Sequence, residues 1–336
     1  MKKLLSTALV LLLLITQAVP VKAWAPANLD SIITQTATYV LRQVPTPQIG
    51  TIGGEWAVLG LARSGHTVPA TYFNNYIRHI EAHLRANNGV LHNRRLTEYS
   101  RLILALTSIG ADPTNIAGFD LTLSISDFDA TIWQGINGAI FALIALDSLA
   151  YDIPNNPNAS TQATRELFVN EILRRQTTDG GFNLTAGING PVAASEVGDP
   201  DITAMALQAL ANYQDRADVA EATNRALSFL SRIQTNDGGF VSSFGTEPTL
   251  ESSVQVAVAL AALDIPLNDP RFVKNGNTVL DNILSFRNPN GSFRHSNTNL
   301  TVNMMATEQA LYGLVAISRL YNEQNRLYDM TDVTAR

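Results

Sequence analysis

A helix ending that occurs three times constrains this chain more than any other feature. Gln234-Thr235-Asn236-Asp237-Gly238-Gly239-Phe240 closes an amphipathic stretch that begins at Arg225. The same ending returns at Gln176-Thr177-Thr178-Asp179-Gly180-Gly181-Phe182, and in weaker form at Arg287-Asn288-Pro289-Asn290-Gly291-Ser292-Phe293. Each reads as a helix that runs into a polar side chain, then a tight turn of the kind glycine allows, then an aromatic. A repeated helix ending implies a repeated supersecondary unit. Such units cannot bury their apolar faces alone, so they either stack as an open solenoid or close into a ring.

Six segments rich in Ala and Leu recur along the chain, at 55–64, 98–109, 134–149, 202–213, 252–263 and 306–321. Each is apolar round most of its circumference, the pattern of a helix buried on several sides. Amphipathic segments with one charged face alternate with them, at 29–44, 72–86, 164–176, 219–234 and 272–287. The third member of this second set, 117–129, mixes Gly118 and three aspartates with β-forming residues and predicts a short, irregular element. Six pairs with buried inner members predict an all-α fold, an α/α toroid with six inner helices inside an outer set.

The first residues read as a secretory signal peptide. Lys2 and Lys3 precede an apolar run from Leu4 to Ile15, and small-residue cleavage sites follow at Val21-Lys22-Ala23 and Ala23-Trp24-Ala25. The run is shorter than the roughly 20 residues of a spanning helix, and no cysteine follows it to carry a lipid. The expected organisation is a signal peptide at 1–25 and a single toroid domain at 26–336, secreted or held at the cell surface, with no transmembrane segment in the mature chain. Cysteine is absent throughout, which excludes thiolate metal sites and cysteine nucleophiles. Without Lys2, Lys3 and Lys22 the formal charge moves from −6 to −9, with 20 basic residues against 29 acidic. That balance argues against nucleic acid or an anionic membrane surface as partner. His79 and His83 stand one helical turn apart on an outer amphipathic segment, where a solvated face explains them, so no metal and no cofactor are expected.

The segment from Arg225 resembles the QW repeat of the terpenoid cyclases. Arg225, Ala226, Phe229, Leu230, Gln234 and Gly238 match its positions, and Phe240 stands where that family has tryptophan. The resemblance implies the α/α-toroid superfamily: squalene and oxidosqualene cyclases, protein prenyltransferase β subunits, thioester domains, and cobalamin carriers. The prenyltransferase zinc site and the thioester both need a cysteine that this chain lacks. Asp199-Pro200-Asp201-Ile202-Thr203-Ala204 resembles the cyclases' Asp-x-Asp-Asp-Thr-Ala, with Asp201 at the proton-donating position and Ile202 in place of the next aspartate. The same stretch, Asp201 to Leu207, also resembles the Asp-Thr-Ala-x-Met-Ala segment of cobalamin carriers with one residue inserted. The chain is similar as well to secreted bacterial surface proteins built on this toroid.

The starts of the buried segments supply the candidate site. Glu55, Glu98, Gln134, Asp201, Glu251 and Glu308 recur there, followed by Trp56, Tyr99, Asn137, Gln255 and Gln309. Inner helices of a toroid run parallel, so these ends gather at one mouth. Trp133, Asp199 and Tyr312 complete the candidate set. Grouped carboxylates beside aromatics suit a hydroxylated or cationic ligand, although Asp and Glu also favour the first turn of any helix. The expected function is binding of a small ligand (corrinoid-like, isoprenoid or sugar) or a cell-surface protein partner in an acid-rimmed cavity. Two alternatives stand beside it: a cyclase-type enzyme with Asp201 as general acid, and a structural module whose lumen is filled by side chains.

Overall fold

The computed structural model describes residues 28–336, so the expected signal peptide lies outside the described residues. Twelve α-helices are found among the described residues, with isolated bridges but no strands. Six form an inner ring: α2 (Glu55–Arg63), α4 (Thr97–Ser108), α6 (Ile136–Asp147), α8 (Pro200–Leu210), α10 (Leu250–Ala262) and α12 (Met304–Tyr321). Each packs on the next, and α12 packs on α2 as well as on α10, so the ring is closed. The outer partners are α1 (Leu29–Gln43), α3 (Ala70–Ala86), α5 (Phe128–Ile132), α7 (Arg165–Arg174), α9 (Ala217–Ile233) and α11 (Val279–Ser285). None of these helices is long and apolar enough to cross a membrane.

The two sets differ because their surroundings differ. Helix α10 is buried at every position from Leu250 to Ala262, and its alanines and valines let neighbouring helices approach closely. Gly313 on α12 sits against Val254 of α10, and a Cβ there would meet its side chain at 2.8 Å. Helix α9, by contrast, buries only the stripe Val219, Ala222, Thr223, Ala226, Leu227, Phe229 and Leu230. Burying a leucine of that stripe stabilises the fold by roughly 1.5–3 kcal/mol, which is how an otherwise polar helix is held to the ring.

The repeated ending is the joint between units. Gln234 Nε2 donates to Gly238 O in its own turn and to Phe272 O in the next outer unit, both at 3.0 Å. Gln176 Nε2 does the same to Gly180 O at 2.9 Å and to Ala222 O in α9 at 2.8 Å. The closing aromatics Phe182, Phe240 and Phe293 are fully buried. Gly180, Gly238 and Gly291 all have positive φ and press on the backbone of the following outer unit. In the third copy that unit is α1: a Cβ on Gly291 would lie 2.7 Å from Gln35 O, and Arg287 donates to the Gln35 side chain. The weakest copy of the motif therefore closes the ring.

Two expected elements differ. The amphipathic run 272–287 is not one helix. A 3-10 turn, Pro270–Phe272, stands at its start, Asn275 and Gly276 adopt positive φ, and a Thr278–Asp281 capping box begins α11 only at Val279. The inner helix expected from 134 begins at Ile136, because Gly135 at φ 80° turns the chain first. The irregular third outer unit is found as expected, as a 3-10 turn (Thr122–Ile125) followed by α5.

After α12 the chain crosses the C-terminal ends of the inner helices. Arg63 at the end of α2 binds Asp332 at 2.6 Å and Asp329 O at 2.8 Å, and Arg319 holds the other Asp332 oxygen. Met330 N donates to Ser148 O beyond α6 at 2.8 Å, Arg326 pairs with Asp264 beyond α10 at 2.6 Å, and Arg336 N reaches Gly110 O beyond α4 at 2.8 Å. The tail closes this end of the ring.

Candidate functional site

The other end is open. A cavity of about 390 Å³ lies inside the N-terminal half of the ring, and all six inner helices contribute to it. Its entrance is framed by Thr51, Thr97, Gln134 and Leu184. One turn down come Trp56, Arg101, Asn137, Met205, Gln255 and Gln309, and below them Phe141, Tyr312 and Tyr328. Tyr328 belongs to the tail, and it also borders a small cavity of about 40 Å³ between the C-terminal ends of α6, α8 and α10. It is therefore the floor of the upper cavity. The lumen is not filled by side chains, as a purely structural module would have it.

The wall is a set of linked amides and rings. Gln255 Nε2 donates to Tyr312 Oη at 2.7 Å and to Gln309 Oε1 at 3.2 Å, and its own Oε1 accepts from Gln208 at 3.1 Å. Tyr312 Oη donates to Gln309 Oε1 at 3.0 Å. Gln134 Oε1 accepts from the Thr97 amide and hydroxyl at 3.3 and 3.2 Å. Asn137 Oδ1 is buried with no partner. The Trp56 ring lies 5.5 Å from Tyr312 and 6.2 Å from Phe141, tilted against both. Arg101 is the one formal charge on this wall, and Glu55 and Glu98 neutralise it.

Most of the expected acids are already engaged. Glu55 is nearly wholly buried; it binds Arg101 at 2.8 Å and accepts from Gly50 N at 3.1 Å. Burial pushes its carboxyl up, and Arg101 only partly offsets that. Glu308 accepts from Gly53 N at 2.9 Å, and burial, with the Glu55 charge adding, pushes it up to about 7. Glu98 pairs with Arg101 and Arg95. Asp199 caps α8 through the amides of Asp201 and Ile202 and holds Ser242 and Ser243 in the next connection. These side chains knit the mouth together, and none of them is among the residues that line the cavity.

Asp201, Glu251 and Glu308 each stand four residues before a lining residue of their helix, Met205, Gln255 and Tyr312, and so on the same face one turn nearer the entrance. Burial pushes Asp201 up to about 7, with the Asp199 and Glu251 charges adding and Ser252 tempering it. Glu251 is raised by burial and eased by His295, whose Nδ1 lies 2.7 Å from Glu251 Oε2. Asp201 Oδ1, Glu251 Oε1 and Glu308 Oε2 are all buried without a partner. A carboxyl that stays protonated near neutrality beside a second carboxylate and an imidazole has the makings of an acid–base pair.

Of the residues expected from sequence, the structure therefore brings Trp56, Gln134, Asn137, Gln255, Gln309 and Tyr312 together on the wall. Tyr99 turns aside, its hydroxyl accepting from Leu91 N at 2.9 Å, and Trp133 stands half exposed under the Arg94 guanidinium, 3.8 Å from its ring centroid. Arg101, Phe141, Met205 and Tyr328 were not among the candidates. The first three are one turn along inner helices from residues that were, and helical spacing could have found them. Tyr328 carried no signal, because its place depends on where the tail folds back.

The prenyltransferase alpha-alpha toroid domain model matches residues 126–267 and 253–333, more than half of the chain. No match is found among curated proteins by sequence. Solved structures share the architecture. A polysaccharide lyase superposes with a TM-score of 0.56 at 12% identity, covering 88% of this chain and 98% of that one. The type II terpene cyclase MstE from Scytonema gives 0.54 at 12% identity, covering 87% and 99%. Candida albicans protein geranylgeranyltransferase-I complexed with GGPP gives 0.52 at 13% identity, covering 88% and 92%. At such identities the likeness concerns the fold, which cyclases, transferases and polysaccharide-active proteins share.

Proposed function

The chain belongs to the prenyltransferase α/α-toroid domain family, and from that premise we propose that it is a ligand-binding toroid whose lumen takes a small, neutral, polyhydroxylated molecule, a short saccharide being the type. The observation that carries this reading is the wall itself: the side-chain amides of Gln134, Asn137, Gln255 and Gln309 ring a lumen with an aromatic floor. Its volume of about 390 Å³ lies within the usual range for small-molecule sites. Amides can donate to and accept from hydroxyls without a net charge. A hydrocarbon ligand such as an isoprenoid would strip water from them and return nothing, at about 1–3 kcal/mol for each group left unpaired. A corrin would have to rest above the entrance.

Export to the cell surface or medium, expected from residues 1–25, is part of this proposal. Cell fractionation and N-terminal sequencing of the mature chain test it. For the lumen, calorimetric titration compares short saccharides, a C15 isoprenoid alcohol and a corrinoid. Saccharide binding that drops about tenfold in Gln309→Ala supports the reading, since one lost hydrogen bond in a closed site is worth about that factor. Binding of the isoprenoid alone would sink it.

A second reading rests on Asp201. A carboxyl pushed up to about 7, with an unpartnered oxygen one turn above the wall, is placed to donate a proton to a molecule in the lumen. In that case the toroid is an enzyme with Asp201 as general acid, the cyclase-type reaction being one form. Product analysis with polyene and glycoside substrates distinguishes the readings, and undiminished turnover in Asp201→Asn would end this one.

A further inference from the structure

The connections from each outer helix to the next inner one all lie round the cavity entrance, and they share a property the lumen does not explain. Eight of the ten large apolar side chains that stand exposed among the described residues are on these six connections. Every connection has at least one: Ile52, Val90, Trp133, Val197, Phe244 and Leu300 in chain order. Phe244 is 80% exposed and Leu300 69%, which is extreme for such residues. The other two, Leu123 and Leu149, lie on the third outer unit and at the far end of α6. Scattered exposed apolar residues are ordinary; a ring of them round one opening is not.

Charge separates the same face from the rest. The connections 44–54, 87–96, 133–135, 175–199, 234–249 and 286–303 hold five arginines and five carboxylates. Residues 28–336 hold 20 basic residues against 29 acidic, so the whole negative excess lies elsewhere. The connecting segments that frame the entrance are formally neutral on an acidic protein, and Glu55, Glu251 and Glu308 just inside it are buried.

We propose that the entrance face seats on a neutral, zwitterionic lipid surface, with the six apolar tips entering the headgroup layer and the cavity opening against the membrane. The tips surround a hole and leave no continuous patch at the centre, which is where a protein–protein interface concentrates its binding. Separate insertion of each tip satisfies them instead. Trp133 fits the interfacial layer, with an indole that can stand in lipid and an Arg94 guanidinium on its face at headgroup level. The acidic remainder of the molecule disfavours an anionic bilayer as the primary target.

The test is flotation of the purified chain with phosphatidylcholine vesicles. Wild type is expected to float, and Phe244→Ser combined with Leu300→Ser to lower the bound fraction at least tenfold. Leu149→Ser, on the opposite face, is expected to float as wild type. Tryptophan emission should shift to the blue with vesicles, and Trp133→Ser should remove the shift. Gln309→Ala should float normally, so this result stands or falls apart from the lumen ligand. Absence of flotation, flotation indifferent to the double variant, or a dimer in solution that the double variant dissociates would each overturn the proposal; the last would make the rim an interface between copies of the chain.

Discussion

Arg101 Nε lies 2.8 Å from Glu55 Oε2, a bridge from α4 to α2 in which the acid keeps 1% of its surface. The same arginine reaches Glu98 on its own helix. One guanidinium thus holds two inner helices together and supplies part of the lumen wall.

Arg101→Ala leaves Glu55 buried without its counter-charge and is expected to cost about 3–5 kcal/mol. Adding Glu55→Gln should recover much of that loss, because the orphaned charge goes with it. Urea unfolding of the two single variants and the double gives the coupling. An additive double variant would show that the pair is not energetically linked.

Stability should fall as pH rises toward neutrality, and two carboxyls should account for much of the slope. Asp201 and Glu308 are both raised to about 7 in the folded chain, from ordinary values near 4. Each therefore binds in the native state a proton that the unfolded chain has released. Their contribution is complete below pH 4 and is lost as pH climbs through 7. Asp201→Asn and Glu308→Gln should each gain roughly 2–4 kcal/mol over wild type at pH 8, with little gain at pH 4. Chemical denaturation at the two pH values checks the sign, and a gain at pH 4 equal to that at pH 8 would refute it.

Gln234→Ala removes two backbone partners at once and is expected to cost about 1–3 kcal/mol. Gly238→Ala should cost about 2 kcal/mol or more, since its φ of 84° and its press on Thr278 O both exclude a side chain. Thermal unfolding measures both. Gly245→Ala, in the same connection, is the matched control, since its φ is not positive and a Cβ there would meet nothing closer than Ser242 O at 3.6 Å.

How much of this could be read in advance follows from particular residues. The Gln-x-x-Asp-Gly-Gly-Phe ending and the alternation of buried and half-buried helices revealed the closed ring, because both are local consequences of one global arrangement. The mouth was legible as a location but not as chemistry. Glu55 and Glu98 sit at helix starts as expected, yet their charges are taken up by Arg101 and Gly50 N, while Glu308 lies in the second turn of α12 with one oxygen on Gly53 N and the other buried without a partner. Whether a carboxylate faces a lumen or a neighbour depends on side-chain direction across helices, and spacing along one helix does not encode that. The floor was less legible still. Tyr328 reaches the lumen because the tail is held by partners far away in sequence, among them Arg63, which grips Asp332 from 269 positions away.

Tyr328→Ala should join the lumen to the small cavity beneath it and shift ligand preference toward a longer molecule. Titration with saccharides of increasing length reads this directly, and an unchanged length preference would show that the tail does not set the depth.

Asp332→Ala should loosen the tail, since it frees Arg63 and Arg319 together at a cost of about 2–4 kcal/mol. Limited proteolysis followed by mass spectrometry should find cleavage after Arg326 much faster than in wild type. Equal rates would mean that Met330 and Arg336 hold the tail unaided.

The joint at Gly291 has a temporal consequence. Helix α1 is the first element described and is made before the rest of the ring, yet beside a lighter contact with α2 it packs on α12 and on the turn that follows α11. Its apolar stripe of Leu29, Ile32, Ile33, Ala37 and Val40 has no complete partner until residues near 320 exist. Pairings between chain ends carry the largest closure entropy, and partly made units of this kind expose apolar faces. The toroid therefore cannot mature unit by unit as an open solenoid can. It waits, unclosed, for its last helix.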